Sequence, residues 1–141
     1  MRRLSVGLMV LAFGFSVLAG GSHRALAQET APPGGKYKDV STLVKLPHFV
    51  PGLGTLYVDP ATLPAGPFLA YDHDGNLVST VYMIPLKDID AHKSFDTLAV
   101  AQAGKVDHVD LYYNAGHPGV DEPHYHIILW YVSPEKAAAL K

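Results

Sequence analysis

The sequence predicts a β-rich α+β protein: an antiparallel sheet of hairpins with a short middle helix and a C-terminal helical turn. Three observations predict it. Runs rich in β-branched and aromatic residues recur from Thr55 to Val132 between clusters of Gly, Pro, Asn and Asp, as strands joined by tight turns do. Asp72-His73-Asp74-Gly75-Asn76 separates Phe68-Leu69-Ala70-Tyr71 from the run Leu77 to Ile84, the clearest hairpin signal in the chain. Helical signals are brief and fall at Leu86 to Lys93 and after Ser133-Pro134.

The chain opens with Arg2 and Arg3, an uncharged apolar stretch from Val6 to Ala19, and Ala25-Leu26-Ala27. Charged start, short apolar core and small-x-small exit describe a signal peptide over residues 1–27, cleaved near Ala27. The apolar stretch falls short of the roughly 20 residues that span a bilayer, so a secreted or periplasmic protein without a membrane anchor is expected. Losing Arg2, Arg3 and Arg24 would leave 8 Lys+Arg against 13 Asp+Glu, a net charge of −5 with His neutral. A mildly acidic domain without a basic cluster is a poor partner for nucleic acid or anionic membranes. The chain has no cysteine, so neither lipid attachment at the cleavage site nor disulfides are available, and any metal would be held by N and O ligands.

Residues 28–38 are polar and rich in Pro and Gly, which predicts a flexible leader; residues 39–141 then form a single globular domain. In Val40 to Val50, Leu43, Val44, Leu46 and Phe49 are core candidates, and Pro47 and Pro51 confine any helix to the part before Leu46. Gly52-Leu53-Gly54 leads into a short strand, Thr55 to Val58, followed by turn chemistry at Asp59-Pro60 and Leu63-Pro64-Ala65-Gly66-Pro67. Asp72, Asp74 and Asn76 resemble the start of a calcium loop, but the glycine comes too early and no acid follows at the distance an EF-hand needs. A plain hairpin turn is the better reading.

Pro85 ends the next strand. In the middle helix Leu86 and Ile89 are expected to face inwards and Asp88 and Asp90 outwards. Thr97 to Ala101 reads equally as strand or helix. Gly104-Lys105 turns into a strand from Val106 to Asn114, and the final strand runs from His124 to Val132. Ser133 is a good N-cap and Pro134 a good first helical residue.

The stretch with the most chemistry is Gly116-His117-Pro118-Gly119-Val120-Asp121-Glu122-Pro123-His124-Tyr125-His126. Strand alternation sets His108, Asp110, Tyr112 and Asn114 on one face and Val109, Leu111 and Tyr113 on the other. If Tyr113 pairs with Tyr125, Asn114 faces His124, Tyr112 faces His126 and Asp110 faces Ile128, so the polar faces coincide. His124 and His126 are one strand repeat apart, roughly 6.5–7 Å between Cα atoms, and two imidazoles at that spacing converge on one ion. Pro118-Gly119 can turn His117 back towards them. Three neutral imidazoles plus water make an open site for a divalent transition metal, with zinc first and copper, nickel, iron or manganese also open. Glu122 is the natural fourth ligand or catalytic general base, and Asp110 a candidate outer partner that orients an imidazole. His108 faces Trp130, roughly 13 Å along the strand from His126, and is left out. His48, His73 and His92 are taken as surface or turn residues.

Two resemblances bear on this stretch. The glycine before His124-Tyr125-His126 partly looks like the first cupin motif, but Gly119 is one residue too close and the first acid after His126 is Glu135. The chain is more similar to a group of small exported bacterial proteins of unassigned function, in which a Gly-His-Pro loop leads into a Pro-His-aromatic strand that often reads His-x-Asp-x-His. The matching positions here are His124, His126 and Ile128. The likeness spans about residues 52–132, including Gly52-Leu53-Gly54 and Tyr82-Met83-Ile84-Pro85, and implies a shared loop without an activity.

The function expected from the sequence is an exported metal-binding protein with His117, His124 and His126 as ligands, acting on a small molecule by a reaction left open. The alternative is a non-catalytic ligand-binding or self-associating assembly module with structural histidines, in which Tyr112, Tyr125, Trp130 and Tyr131 supply an apolar surface. A hydrolase using Asp121 and Glu122 as paired acids fits poorly, because adjacent residues on an extended chain point in opposite directions.

Overall fold

The sheet is built outward from one long, wholly buried strand. The computed structural model describes residues 29–101 and 104–141; the expected signal segment lies outside the described residues. The strands are β1 (Lys38–Asp39), β2 (Phe49–Val50), β3 (Gly54–Val58), β4 (Phe68–Tyr71), β5 (Leu77–Pro85), β6 (His108–Asn114) and β7 (His124–Trp130). They form an open, seven-stranded sheet in the order β1-β3-β4-β5-β7-β6, with β2 also paired to β3. Every pairing is antiparallel. All nine residues of β5 are buried, because β4 and β7 flank its edges and chain covers both its faces. Two short α-helices accompany the sheet among the described residues, α1 (Leu86–Asp90) and α2 (Pro134–Ala138).

One face of the sheet carries Val58, Phe68, Val81, Met83, Ile128 and Trp130. Val44, Leu46, Phe49, Val50 and Leu53 pack over it, joined by Ala137 and Leu140 from the C-terminal end. Leu140 O accepts from Gly52 N at 2.7 Å, which ties the two covers together. The other face carries Leu69, Tyr71 and Leu77, against which Ala31, Tyr37 and Ala101 pack. Such a sheet divides its apolar residues between two separate cores, so both sides of β3, β4 and β5 read as hydrophobic.

Several expectations are revised here. Residues 30–38, whose composition suggests a flexible leader, meet the sheet at both ends: Thr30 bridges Asn76, Ala31 N donates to Gly75 O at 2.8 Å, and Lys38 pairs with Val58. The apolar side chains of Ala31 and Tyr37 outweigh the polar average of the segment, because they cover Leu69 and Tyr71. Helical structure in Val40 to Val50 is reduced to a 3-10 turn at Val40–Thr42, capped by the Asp39 carboxylate accepting from Ser41 N. The middle helix stops at Asp90, and Ile89 is exposed rather than inward; so short a helix can bury only part of an apolar stripe. Thr97 to Ala101 is neither strand nor helix. It crosses the second face as cover, with Tyr82 Oη donating to Ala99 O at 2.6 Å.

Candidate metal centre

β7 alternates buried and half-buried residues along its whole length, with His124, His126, Ile128 and Trp130 on the buried side. His124 and His126 therefore occupy positions where a core hydrophobe would otherwise sit. They are 1% and 5% exposed, and a buried polar group without a partner costs about 1–3 kcal/mol. The partners are supplied from β6 and from the loop between the strands. β6 pairs with β7 in the register Asn114↔His124, Tyr112↔His126, Asp110↔Ile128 and His108↔Trp130.

The loop from Ala115 to Pro123 is itself folded. Asn114 Oδ1 accepts from Gly116 N at 2.9 Å. His117 and Val120 exchange backbone hydrogen bonds of 2.9 and 2.8 Å around Pro118-Gly119. Proline at the first central position and Gly119 at φ 88° at the second are the residues a type II turn requires. A Cβ on Gly119 would stand 2.7 Å from Val44 Cβ, so this turn seats directly on the chain that covers the core. The consequence is that half-buried His117 is held beside the strand pair, its ring centroid 5.0 Å from that of His124 and 5.9 Å from that of His126. One ligand nitrogen from each of the three imidazoles lies within 4.8 Å of the others.

Hydrogen bonds dictate how these rings present their lone pairs. His124 Nδ1 lies 2.7 Å from Glu122 O and His117 Nδ1 lies 3.2 Å from Pro118 O. A carbonyl only accepts, so in each ring Nδ1 carries the proton and Nε2 offers a lone pair. His126 Nε2 is 3.0 Å from His124 Nε2, and His126 Nδ1 is 2.8 Å from Tyr112 Oη. With no ion, His126 Nε2–H donates to His124 and Tyr112 O–H donates to His126 Nδ1. With the proton on Nδ1 and Tyr112 Oη accepting it, all three Nε2 atoms become free to ligate. Burial pushes the His126 imidazole down to about 4, with His124 and then His117 adding to the effect. Burial, and then Asp110, raise the Tyr112 hydroxyl. The ring and the phenol are thus neutral at neutral pH, the state a ligating imidazole needs.

Two of the candidate residues are placed elsewhere. Asp110 does not orient an imidazole: its Oδ2 accepts from Trp130 Nε1 at 2.8 Å. Register is the reason, since Asp110 stands opposite Ile128 and leans towards the Trp130 end. Tyr112 takes the orienting place instead, and its position directly across from His126 in the expected pairing was the signal for it. Glu122 contributes its backbone carbonyl, while its carboxylate pairs with Lys87 Nζ at 2.8 Å and does not join the three imidazoles. Lys87 is brought there by α1, which starts where β5 ends beside β7, Leu86 N donating to Pro123 O at 2.9 Å. His108 stays apart as expected, stacked on Trp130 with its Nδ1 2.9 Å from Asp107 Oδ1. His73 stacks on Phe49, and His48 pairs with Asp39.

The donor set fits a transition metal. Two imidazole nitrogens on a tetrahedral ion at about 2.0–2.1 Å stand about 3.3 Å apart, close to the 3.0 Å observed between His124 and His126. Only His117, on its loop, must draw closer. His117 and His126 also line a cavity of about 340 Å³ that runs under the chain covering the first face, between Leu46, Leu53 and Met83.

Fold and site together define a small β-sheet protein with a buried histidine cluster. Residues 72–113 match the family model described as TTHB210-like, hypothetical protein TTHB210. The crystal structure of hypothetical protein TTHB210 from Thermus thermophilus is similar at 48% identity and a TM-score of 0.62, over 67% of this chain and 92% of that one. The chain belongs to the TTHB210-like family. No curated protein matches it. The matched segment ends at residue 113, so the triad lies outside it. The partial cupin likeness does not extend to the fold, because the sheet is open whereas a cupin is a double-sheet jelly roll.

Proposed function

We propose that this is an exported protein that binds one divalent transition metal, zinc first, through His117, His124 and His126. The observation that supports it best is the outward hydrogen bonding of the three rings. Each Nδ1 has its own oxygen partner, Pro118 O, Glu122 O or Tyr112 Oη, which leaves the Nε2 atoms for an ion, and those of His124 and His126 already meet at 3.0 Å. Outer partners of this kind orient imidazoles and raise their basicity. When bound, the metal would act as a Lewis acid with positions left for water or a substrate. His124 and His126 would hold it from β7, His117 would close the third side, and Tyr112 would keep His126 in the ligating tautomer.

The test is elemental analysis of untagged full-length protein purified from an exporting host, followed by zinc titration against a chromophoric chelator. One equivalent of metal per chain is expected. Protein that takes up neither zinc, copper nor nickel would sink the reading.

A second reading is favoured by a separate observation. The chain Glu122 O, His124, His126, Tyr112 is hydrogen-bonded throughout without an ion, and Val109, Leu111 and Tyr113 expose an apolar face on the edge strand β6. A metal-free assembly module with structural histidines would show no metal uptake and a concentration-dependent oligomer.

A further inference from the structure

The cavity beside the triad has walls of two kinds. Its polar side chains, Tyr112, Asn114, His117 and His126, all come from the β6–β7 hairpin, and the rest of its lining is aliphatic or aromatic apart from backbone. Among the described residues, no Lys, Arg, Asp or Glu lines it. At about 340 Å³ it falls at the small end of ligand pockets, which run from roughly 300 to 1,000 Å³. One end is therefore chemically distinct, and that end contains two of the three imidazoles.

Charge decides what the pocket can hold. Three neutral imidazoles leave a divalent ion with its full double positive charge in a partly desolvated place, where an unbalanced charge is costly. No carboxylate joins the three imidazoles: Glu122 is paired with Lys87, Asp110 turns to Trp130 Nε1, and Asp121 is exposed. The counter-charge must come from outside, and the apolar cavity is the space that adjoins both His117 and His126. Building on the metal reading above, we infer that the protein binds a small aliphatic monocarboxylate, its carboxylate on the metal and its hydrocarbon body among Leu46, Leu53 and Met83. An apolar body gains from leaving water. Its anionic head has no cation to meet in the metal-free protein, so binding of the carboxylate requires the ion, whereas binding of an uncharged chain of the same length does not.

Calorimetric titration of octanoate and of 1-octanol into the metal-free and zinc-loaded full-length protein tests this, alongside a separate zinc titration. The expected result is one zinc per chain, octanoate at least about tenfold tighter on the zinc form, a difference of about 1.4 kcal/mol, and octanol equal on the two forms. Leu46→Trp, at a half-buried wall position, should weaken octanoate and leave zinc affinity unchanged; Leu43→Trp, at a more exposed wall position, repeats the test should the first variant fail to fold. Zinc binding without any preference of octanoate for the zinc form overturns the carboxylate inference and leaves the metal reading standing. Absence of zinc, copper and nickel binding alike overturns both; if copper or nickel binds in place of zinc, the same octanoate comparison is read on that form.

Discussion

The two ends of the β6–β7 hairpin carry similar residues on one face and use them differently. At the open end His108 stacks over Trp130, ring centroids 5.9 Å apart, and Trp130 donates to the exposed Asp110. At the loop end His126 meets Tyr112 edge-on, at 5.0 Å between centroids, and is closed in by His124 and His117. His108 is half-exposed with a carboxylate beside it, whereas His126 is buried among neutral rings. A histidine on the right strand face is therefore not enough to make a site. The folded loop and its seat on Val44 convert one end into a desolvated, convergent cluster, whereas at the other end Trp130 is buried and His108 stays half-exposed.

Removing the ligands at the loop end should give the largest effect. His124→Ala/His126→Ala should weaken zinc by more than about 100-fold in chelator competition, beyond the range usual for outer partners, while His108→Ala leaves it unchanged. Equal losses at the two ends would refute the distinction. Tyr112→Phe should come next, lowering zinc affinity by about 10–100-fold through the loss of the hydrogen bond to His126 Nδ1.

The ends should also separate in pH. The folded His126 ring is pushed down from 6.5 to about 4, so between those values the unfolded chain takes a proton that the folded one refuses. Stability of the metal-free protein should therefore fall as pH drops through that window. Urea melts across it should show the slope in the parent and a flatter one in His126→Gln. At the open end, Asp110→Ala should cost about 1 kcal/mol and change the fluorescence of Trp130, the single tryptophan, with zinc affinity intact. Smallest of all, Glu122→Gln should leave zinc affinity and the denaturation midpoint as they were, since its carboxylate meets Lys87 at the surface. A large loss of metal there would return Glu122 to the site.

What is local in this protein was legible from its residues. Asp72 to Asn76 marks a hairpin turn because Asp72 Oδ1 accepts from Asp74 N and Asn76 N within five residues. The period of two along β7 assigns His124 and His126 to one face, and register arithmetic separates His108 from them. What depends on distant chain was set by packing instead. Lys87 claims Glu122 across 35 residues, Val44 holds the Gly119 turn, and residues 30–38 dock as cover where composition suggests slack. The cavity beside the triad exists because the chain from Val40 to Leu53 closes over one face of the sheet. Alternation says which side chains share that face, but the packing of the covers determines whether it meets water.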